Sequence, residues 1–279
     1  MSDCHLYKYV ADVSALQSIL RGAIKFTPIH KLNDPSELSP TLNREAVQAS
    51  LARLRQAGYT KDDLVHLERQ ARVLHRLAPH FQAIRTPRTP EEATAVVRSP
   101  FYDVLPRLEL LLDATAREIS TKVGLFCVSR RYDSLPMWAH YARNATGLVV
   151  ALRNLEAVFT GDDTGVLRQP VAVRYDREQV GMTFEPSSHE ALFFEKFEDW
   201  RYEEEVRIVL PLADCRQESF CGEPLHLYDI PADHIAHVIV GWNMPDENLA
   251  AVREIIKVAK AQADVMRARF VRGRIELRV

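Results

Sequence analysis

Hydrophobic and polar positions follow both extended and helical spacing within the N-terminal segment. A run of apolar and aromatic residues from Leu6 to Val10 is typical of a strand. Apolar residues then recur at helical spacing, with Asp12 placed to cap the helix and Gly22 to end it. The pattern predicts strand, helix and strand over Leu6 to Val10, Val13 to Arg21 and Ala23 to Thr27.

From Arg44 to about Ser120 the apolar spacing is helical almost throughout. Gly58 and the TPRTP stretch at Thr86 to Pro90 divide this segment into three or four helices. Strand patterns are nearly absent here, whereas both flanks have the character of one sheet. We therefore expect a helical insertion at residues 44–120 within a single domain that spans residues 1–279.

Beyond Lys122 short β-type runs dominate, and one helix is predicted within MPDENLAAVREIIKVAKAQ. Several runs alternate polar and apolar residues, as half-buried antiparallel strands do. The predicted fold class is α+β, with a twisted, mainly antiparallel sheet. The runs are Gly124 to Ser129, Gly147 to Leu152, Pro170 to Tyr175, Val206 to Leu210, Leu225 to Ile230, His237 to Val240 and Phe270 to Leu277.

Charge and composition narrow the function classes. The chain has 36 Lys and Arg against 38 Asp and Glu, and a net charge of -2 provides no global field for a polyanion. A basic coat protein is excluded, while a local basic groove is not. Four scattered cysteines, no secretory signal and no long apolar run lead us to expect a cytoplasmic protein without a membrane partner.

The first candidate site lies in KFEDWRYEEEVRIVLP, Lys196 to Pro211. If a strand begins near Glu203, the side chains of Glu203, Glu205 and Arg207 share one face. Such a carboxylate pair can orient a nucleophile while Arg207 holds one carboxylate in a bidentate hydrogen bond. The alternative is a solvated strand edge with an ion pair. Further candidates in this segment are Lys196, Trp200 and Tyr202, of which the two aromatic residues are placed to wall a pocket.

The second candidate site lies in MWAHYARNATG, Met137 to Gly147, read as a short helix before a strand. His140 is a candidate general base or substrate contact, and the alternative is a histidine packed beneath a turn. Trp138 and Tyr141 share one helix face, a spacing that more often means core packing than ligand contact.

Motifs for P-loop, Rossmann, zincin and α/β-hydrolase chemistry are absent from the sequence. The spacing of Cys215, Cys221 and His226 does not fit a zinc site, and no metal is expected. One hypothesis still uses a divalent ion: a phosphodiester enzyme built from Asp34, Glu37, His140 and the carboxylate pair. Asn33, in the same turn as Asp34, is a further candidate site residue.

Three blocks together resemble a bacterial family known as domain of unknown function 2971. The blocks are LNDPSEL at Leu32 to Leu38, MWAHYARNATG at Met137 to Gly147 and KFEDWRYEEEVR at Lys196 to Arg207. They match the NDP-E turn, the MW-HYA block and the W-YE-E-R block of the family in that order. This resemblance implies no activity by itself.

A more distant resemblance, to the ADP-ribosyltransferase fold, does imply one. In that fold a basic residue or His on the first strand contacts NAD, a Ser-bearing strand supports it, and the second Glu of Glu-x-Glu is catalytic. The matching positions are Lys8 with Tyr9, then Ser129, then Glu203 with Glu205. At the first position this chain carries Lys and Tyr where the family has Arg or His. The resemblance implies NAD as a substrate, with Trp138, Tyr141 or Trp200 as a wall for its nicotinamide ring.

The leading hypothesis is therefore an ADP-ribosyltransferase-like enzyme that modifies a protein or nucleic acid, in a toxin or phage-defence setting. The first alternative is a non-catalytic module that binds a ligand or partner, with a protein partner docked on the helical segment at residues 44–120. The second alternative is the metal-dependent phosphodiester enzyme.

Overall fold

A computed structural model describes residues 5–34, 41–77, 87–99, 105–160, 168–177, 192–259 and 263–278. Helices pack on both faces of a large, mainly antiparallel sheet, and this confirms the predicted α+β class. None of the helices that the structure describes is long and apolar enough to cross a membrane. The helices are α1 (Ser14–Leu20), α2 (Arg44–Ala57), α3 (Lys61–Leu77), α4 (Pro90–Arg98), α5 (Leu105–Lys122), α6 (Leu135–Tyr141), α7 (Leu155–Val158) and α8 (Asp246–Ala259).

The main sheet has eleven strands, and a separate short parallel pair joins β6 to β7. The strands are β1 (Leu6–Val10), β2 (Ala23–Pro28), β3 (Val123–Ser129), β4 (Leu148–Leu152), β5 (Val171–Ala172), β6 (Arg174–Asp176), β7 (Glu195–Phe197), β8 (Glu205–Pro211), β9 (Arg216–Phe220), β10 (Glu223–Asp229), β11 (Ile235–Val240), β12 (Asp264–Val271) and β13 (Arg274–Arg278). Their order is β13-β12-β11-β4-β1-β3-β2-β10-β9, with β8 and then β5 added beside β3. In this sheet only β11 and β12 pair in parallel, among the strands described.

The sheet divides at β3. Along one edge β3 pairs with β8 over its whole length. Along the other edge it meets β1 at one end, where Tyr7 lies opposite Ser129, and β2 at the other end, where Thr27 lies opposite Leu125. Between these contacts the Lys8 ammonium donates a hydrogen bond of 2.8 Å to the Cys127 carbonyl. A side chain therefore satisfies a backbone group that no strand reaches.

Two apolar layers hold the helices on the sheet. On one face α1 and α8 pack over β4 and β11, through residues such as Leu16, Val150 and Val252. On the other face α6 places the fully buried Trp138 against Tyr9. Helix α5 covers the same side of β3 through Ile119. The face that carries α6 also carries the candidate residues Tyr9 and Ser129, whereas Lys8 alternates with Tyr9 along β1.

The predicted strand, helix and strand at the N-terminus form within one residue of the expected boundaries. Gly22 has a φ of +86°, and its carbonyl accepts the Ile230 amide at 2.7 Å. The predicted C-terminal helix is confirmed as α8. Residues 44–120 hold α2 to α5 within their described part.

Three predictions about strands are wrong. The run from Phe270 to Leu277 is two strands, because Arg272 and Gly273 both have positive φ and form a tight turn between β12 and β13. The run from Pro170 to Tyr175 divides into β5 and β6. The strand expected from Glu203 begins at Glu205, since a 3₁₀ helix occupies Glu198–Glu203.

Candidate functional site

A cavity of about 270 Å³ lies beside the division of the sheet, between β1, β3 and α6. Residues from segments far apart in the sequence line it, including Tyr7, Thr27, Lys31 and Cys127. It therefore gathers both candidate sites of the sequence. The predicted site residues among its lining are Lys8, Tyr9, Asn33, Ser129, Tyr141, Lys196, Glu203 and Glu205.

A sharp turn brings both carboxylates to the cavity. The 3₁₀ helix ends at Glu203, and Glu204 has a φ of +41° before β8 begins. The Glu203 carbonyl accepts a hydrogen bond of 2.6 Å from the Ser129 hydroxyl, and the Glu204 carbonyl accepts one of 3.0 Å from the Arg130 amide. β3 thus fixes the turn that orients the two carboxylates.

Lys196 is the cation that Glu203 and Glu205 share. Its ammonium lies 2.8 Å from Glu203 Oε2 and 3.4 Å from Glu205 Oε2. Only 3% of the Lys196 side chain is exposed, and its ammonium lies 4.5 Å from the centre of the Trp200 ring. The three charges are withdrawn from water, where ion pairs are screened least.

Arg207 binds the Glu205 carboxylate from the protein interior, outside the cavity lining. Its Nε and Nη2 each donate to a different carboxylate oxygen of Glu205 at 2.9 Å, and its Nη1 donates to the Phe193 carbonyl at 2.8 Å. Burial alone raises the pKa of Glu205, but the charges of Arg207 and Lys196 outweigh it and lower the pKa to about 2. Glu205 is therefore ionised at neutral pH.

The pKa of Glu203 shifts in the opposite direction to that of Glu205. Burial raises its pKa, Lys196 lowers it, the Glu205 charge raises it, and the net shift is upward from the ordinary value of 4.5. The Tyr141 hydroxyl donates a hydrogen bond of 2.5 Å to Glu203 Oε1. Asn33 Nδ2 in turn donates to the Tyr141 hydroxyl at 2.8 Å. Burial, followed by the Glu203 charge, raises the pKa of Tyr141, so this phenol stays protonated.

The predicted NAD contacts on β1 and β3 also hold the walls together. Burial lowers the pKa of Lys8, whose ammonium bonds the Cys127 carbonyl. The Tyr9 hydroxyl donates to the Arg131 carbonyl at 3.0 Å, and Ser129 Oγ accepts the Arg131 amide at 3.0 Å. The polar atoms of Tyr9 and Ser129 are therefore engaged by the protein itself.

Two predicted residues of α6 do not line the cavity. Trp138 is 0% exposed, packs against Trp242, and donates its indole N–H to the Tyr132 carbonyl, so it is core rather than a ligand wall. His140 is exposed, with its ring 6.0 Å from that of Tyr202. The alternative prediction, that His140 is packed beneath a turn, is therefore wrong.

The remaining predicted residues flank the cavity. Arg207 is 0% exposed and reaches the cavity only through Glu205. Trp200 stacks near Tyr202 behind Lys196, and Asp34 is buried next to Asn33. Glu37 lies outside the described residues. The solvated strand edge is wrong, because β8 lies between β3 and β5 and its first six residues are buried.

Some lining residues escaped the sequence reasoning. Cys127 lies opposite Arg207 and Tyr7 opposite Ser129, so strand alternation through Ser129 and Tyr9 could have found both. Tyr175 lies outside the lining but supports it, because its hydroxyl accepts a hydrogen bond of 2.8 Å from the Glu205 amide, and no motif predicted this residue. In the part of the chain that the structure describes, no three His, Cys, Asp or Glu side chains could together hold a metal ion.

Comparison with known proteins gives one match. No curated protein and no solved structure matches the chain. One family model, described as protein of unknown function (DUF2971), matches residues 137–208. This range contains the MW-HYA and W-YE-E-R blocks, and therefore most of α6, Lys196 and both carboxylates. The chain thus carries in residues 137–208 the sequence pattern of the DUF2971 family, as its motifs predicted.

Proposed function

We propose that this chain is a glycosyl-transfer enzyme of the ADP-ribosyltransferase kind, which cleaves the nicotinamide–ribose bond of NAD and passes ADP-ribose to a macromolecule. The observation that carries the proposal is the pair Glu203 and Glu205 on one cavity wall, with pKa values moved in opposite directions. Carboxylates with different acidities are suited to different steps of one glycosyl transfer.

Glu205 is suited to the step that breaks the bond. Cleavage of the nicotinamide–ribose bond leaves positive charge on the ribose, and nicotinamide departs with the bonding electron pair as a neutral molecule. A carboxylate held by Arg207 and Lys196 does not need to reorient as that charge develops. Its low pKa keeps it ionised through the reaction.

Glu203 is suited to accept the proton that the acceptor group loses during the transfer. The acceptor forms a bond from its nucleophilic oxygen or nitrogen to the ribose carbon and must lose a proton in the same transfer. A carboxylate with a raised pKa is a stronger base than an ordinary one when ionised. Tyr141 and Lys196 hold Glu203 in place for that role.

The size and lining of the cavity suit one end of NAD. A volume of about 270 Å³ lies just below the roughly 300–1,000 Å³ typical of drug-sized ligands, so it suits the nicotinamide riboside end. The rings of Tyr7, Tyr9 and Tyr141 offer aromatic surface to the cationic nicotinamide. Lys31 lines the cavity with 40% of its side chain exposed, and its ammonium would exchange its ion pair with the exposed Glu223, 2.5 Å away, for the pyrophosphate.

Transfer of label from adenine-labelled NAD to macromolecules of a cell lysate tests the proposal. Glu205→Gln should lower the rate about 10²- to 10³-fold, as loss of a preorganised charge-stabilising group does. Glu203→Gln should also lower it. Glu204→Gln is the matched control, because Glu204 lies between them but pairs with Arg131 at the surface. Equal, undetectable labelling by wild type and Glu205→Gln, with no loss of NAD, would remove the proposal.

A non-catalytic binding module is the second candidate. Its support is that each carboxylate oxygen of Glu203 and Glu205 accepts a hydrogen bond within the protein. A thermal shift on addition of NAD, unaccompanied by nicotinamide release or label transfer, would favour this module over the enzyme.

A further inference from the structure

The hairpin at one end of the main sheet concentrates positive charge. β12 and β13 with their turn contain five arginines within DVMRARFVRGRIELR. The register places Arg267 opposite Arg278, Arg269 opposite Glu276 and Val271 opposite Arg274. Directly opposed residues of antiparallel strands share a face, so these arginines lie on the same side.

The guanidinium groups on this face are largely free of protein partners. Arg269, Arg274 and Arg278 on this face and Arg272 in the adjoining turn are exposed, and none of them forms an ion pair with a residue that the structure describes. Arg267 is half-buried, where it donates to the Met244 carbonyl and lies 3.8 Å from Asp246. The chain as a whole carries a net charge of -2, so this concentration is local.

Protection of an exposed strand edge does not account for the whole pattern. Charges on an edge strand discourage pairing with another chain, and those of β13 would serve that purpose. Arg267, however, lies where β12 pairs with both β11 and β13, so it borders no free edge. Arg269 lies beyond the residues of β12 that pair with β11, opposite Glu276 of β13.

We propose that this arginine face binds the phosphate backbone of a nucleic acid. Arginine donates two parallel hydrogen bonds to a phosphate and is weakly hydrated, which suits phosphate contact better than lysine does. Alternate residues of one strand lie about 7 Å apart, comparable with the separation of successive phosphates in a nucleic-acid strand. Contacts of this kind give affinity without base specificity.

The hairpin offers no apolar wedge on this face for insertion into a membrane. Its large apolar side chains lie on the other face, where Phe270 contacts Trp242 and Ile275 joins the layer that contains Trp138. Ala268 belongs to that layer as well, so alternation along β12 places Arg267 and Arg269 on the face opposite to it. On the arginine face, Val265 packs against the layer below α8, and Val271 is half-buried next to the turn. The cavity belongs to the α6 side, and the arginine face is a separate surface that does not depend on the proposed enzyme activity.

Fluorescence anisotropy with a labelled 20-nucleotide single strand and the matching duplex tests this surface, at salt concentrations from 50 to 200 mM. Wild type should bind with an affinity that falls as salt rises. Arg269→Gln/Arg274→Gln and Arg272→Gln/Arg278→Gln should each bind about tenfold more weakly at 50 mM and lower the salt slope by about one for each arginine. Comparison of the two probes shows which form of nucleic acid is preferred.

Arg21→Gln/Arg117→Gln removes two exposed arginines from other elements and should bind as wild type does. The proposal fails if wild type does not bind at 50 mM salt, or if both hairpin variants bind like this control. It also fails if the hairpin arginines bind vesicles of anionic phospholipid more tightly than either oligonucleotide. Thermal unfolding of each variant confirms that the compared proteins are folded.

Discussion

Glu203 and Glu205 are separated by a single residue, yet their pKa values shift in opposite directions because their carboxyl groups contact different partners. Glu205 receives a bidentate hydrogen bond from Arg207 as well as part of the Lys196 charge. Glu203 receives Lys196 and a neutral phenol, that of Tyr141. The second cation is the difference, and it sets the pKa of Glu205 at about 2 while that of Glu203 rises.

The low pKa of Glu205 predicts how stability depends on pH. A pKa that falls on folding from 4.5 to about 2 stabilises the native state above pH 4.5, and this contribution is lost as the pH falls toward 2. Between pH 5 and pH 3 the loss is about 2 kcal/mol. The difference in unfolding free energy between wild type and Glu205→Gln, measured in urea, should shrink by that amount.

The exposed Glu204 gives the control for this pH dependence. The difference between wild type and Glu204→Gln should stay constant over the same pH range. A difference between wild type and Glu205→Gln that is equally constant would show that Glu205 titrates as an ordinary carboxyl.

The substitution Lys196→Met should lower the free energy of unfolding by a larger amount, and should do so at neutral pH. Without this cation Glu203 and Glu205 face each other in a buried site, and breaking a buried ion pair costs about 3 to 5 kcal/mol. Urea unfolding at pH 7 measures it. Lys25→Met, on the exposed side of β2, should cost less than about 0.5 kcal/mol. A loss below about 1 kcal/mol for Lys196→Met would contradict the shared-cation description.

Residue types and spacing predicted which residues form this cluster better than they predicted the backbone turn and the role of each side chain. The Glu-x-Glu-x-Arg spacing indicated that Glu205 and Arg207 share a face, and strand alternation delivers that contact. The turn at Glu204 could not be predicted, because a left-handed conformation at a glutamate depends on the hydrogen bonds that β3 supplies. Trp138 satisfied the aromatic pattern of a pocket wall, but helix spacing does not say which face meets the core.

At the scale of elements, β3 is the strand on which the site depends. It pairs with β8 on one side, and with β1 and β2 at opposite ends of the other side. That arrangement opens the sheet next to Cys127 and leaves room for the Lys8 side chain. The cavity is thus a consequence of strand pairing, and side chains of segments far apart in the sequence reach it.

A comparison of Gly22 with Gly222 distinguishes the cost of backbone strain from the cost of a steric clash when alanine replaces a glycine in this sheet. Gly22 and Gly222 have nearly equal φ, +86° and +82°. A Cβ at Gly22 would lie 2.1 Å from the Ile230 carbonyl oxygen, whereas one at Gly222 would meet nothing within 4 Å. Gly222→Ala should therefore cost about 1 kcal/mol, and Gly22→Ala a further 1 to 3 kcal/mol.

Chemical denaturation of the two alanine variants measures this difference. Equal losses would mean that the backbone at Ile230, just after β10, yields to the new methyl group and does not fix the junction of α1 with β2.

Element boundaries were predictable where local signals are strong. Gly22 marked the end of α1, and the apolar stripe of α8 marked that helix. The β12–β13 hairpin was missed because Val-Arg-Gly-Arg carries a single glycine and is otherwise continuous with its strands. The pairing order could not follow from the sequence, since partners such as β1 and β4 are brought together by packing across the whole domain.

At the scale of the whole molecule, near-neutral total charge conceals two charged regions of different kinds. One is the buried set of Glu203, Lys196, Glu205 and Arg207, in which opposite charges balance. The other is the exposed arginine face of β12 and β13, with few acidic neighbours. We infer two separate surfaces, one for chemistry and one for holding a polyanion. Charge reversal on the hairpin should therefore leave NAD cleavage unchanged.

The central claim is that the wall formed by Glu203 and Glu205 cleaves the nicotinamide–ribose bond. Release of free nicotinamide from NAD by the purified chain, followed by chromatography, tests it most directly. Wild type and Glu204→Gln should release nicotinamide at the same rate, and Glu205→Gln about 10²- to 10³-fold more slowly while retaining its fold. Release that is absent from wild type in the presence of lysate acceptors, or that is unchanged in Glu205→Gln, would contradict the account.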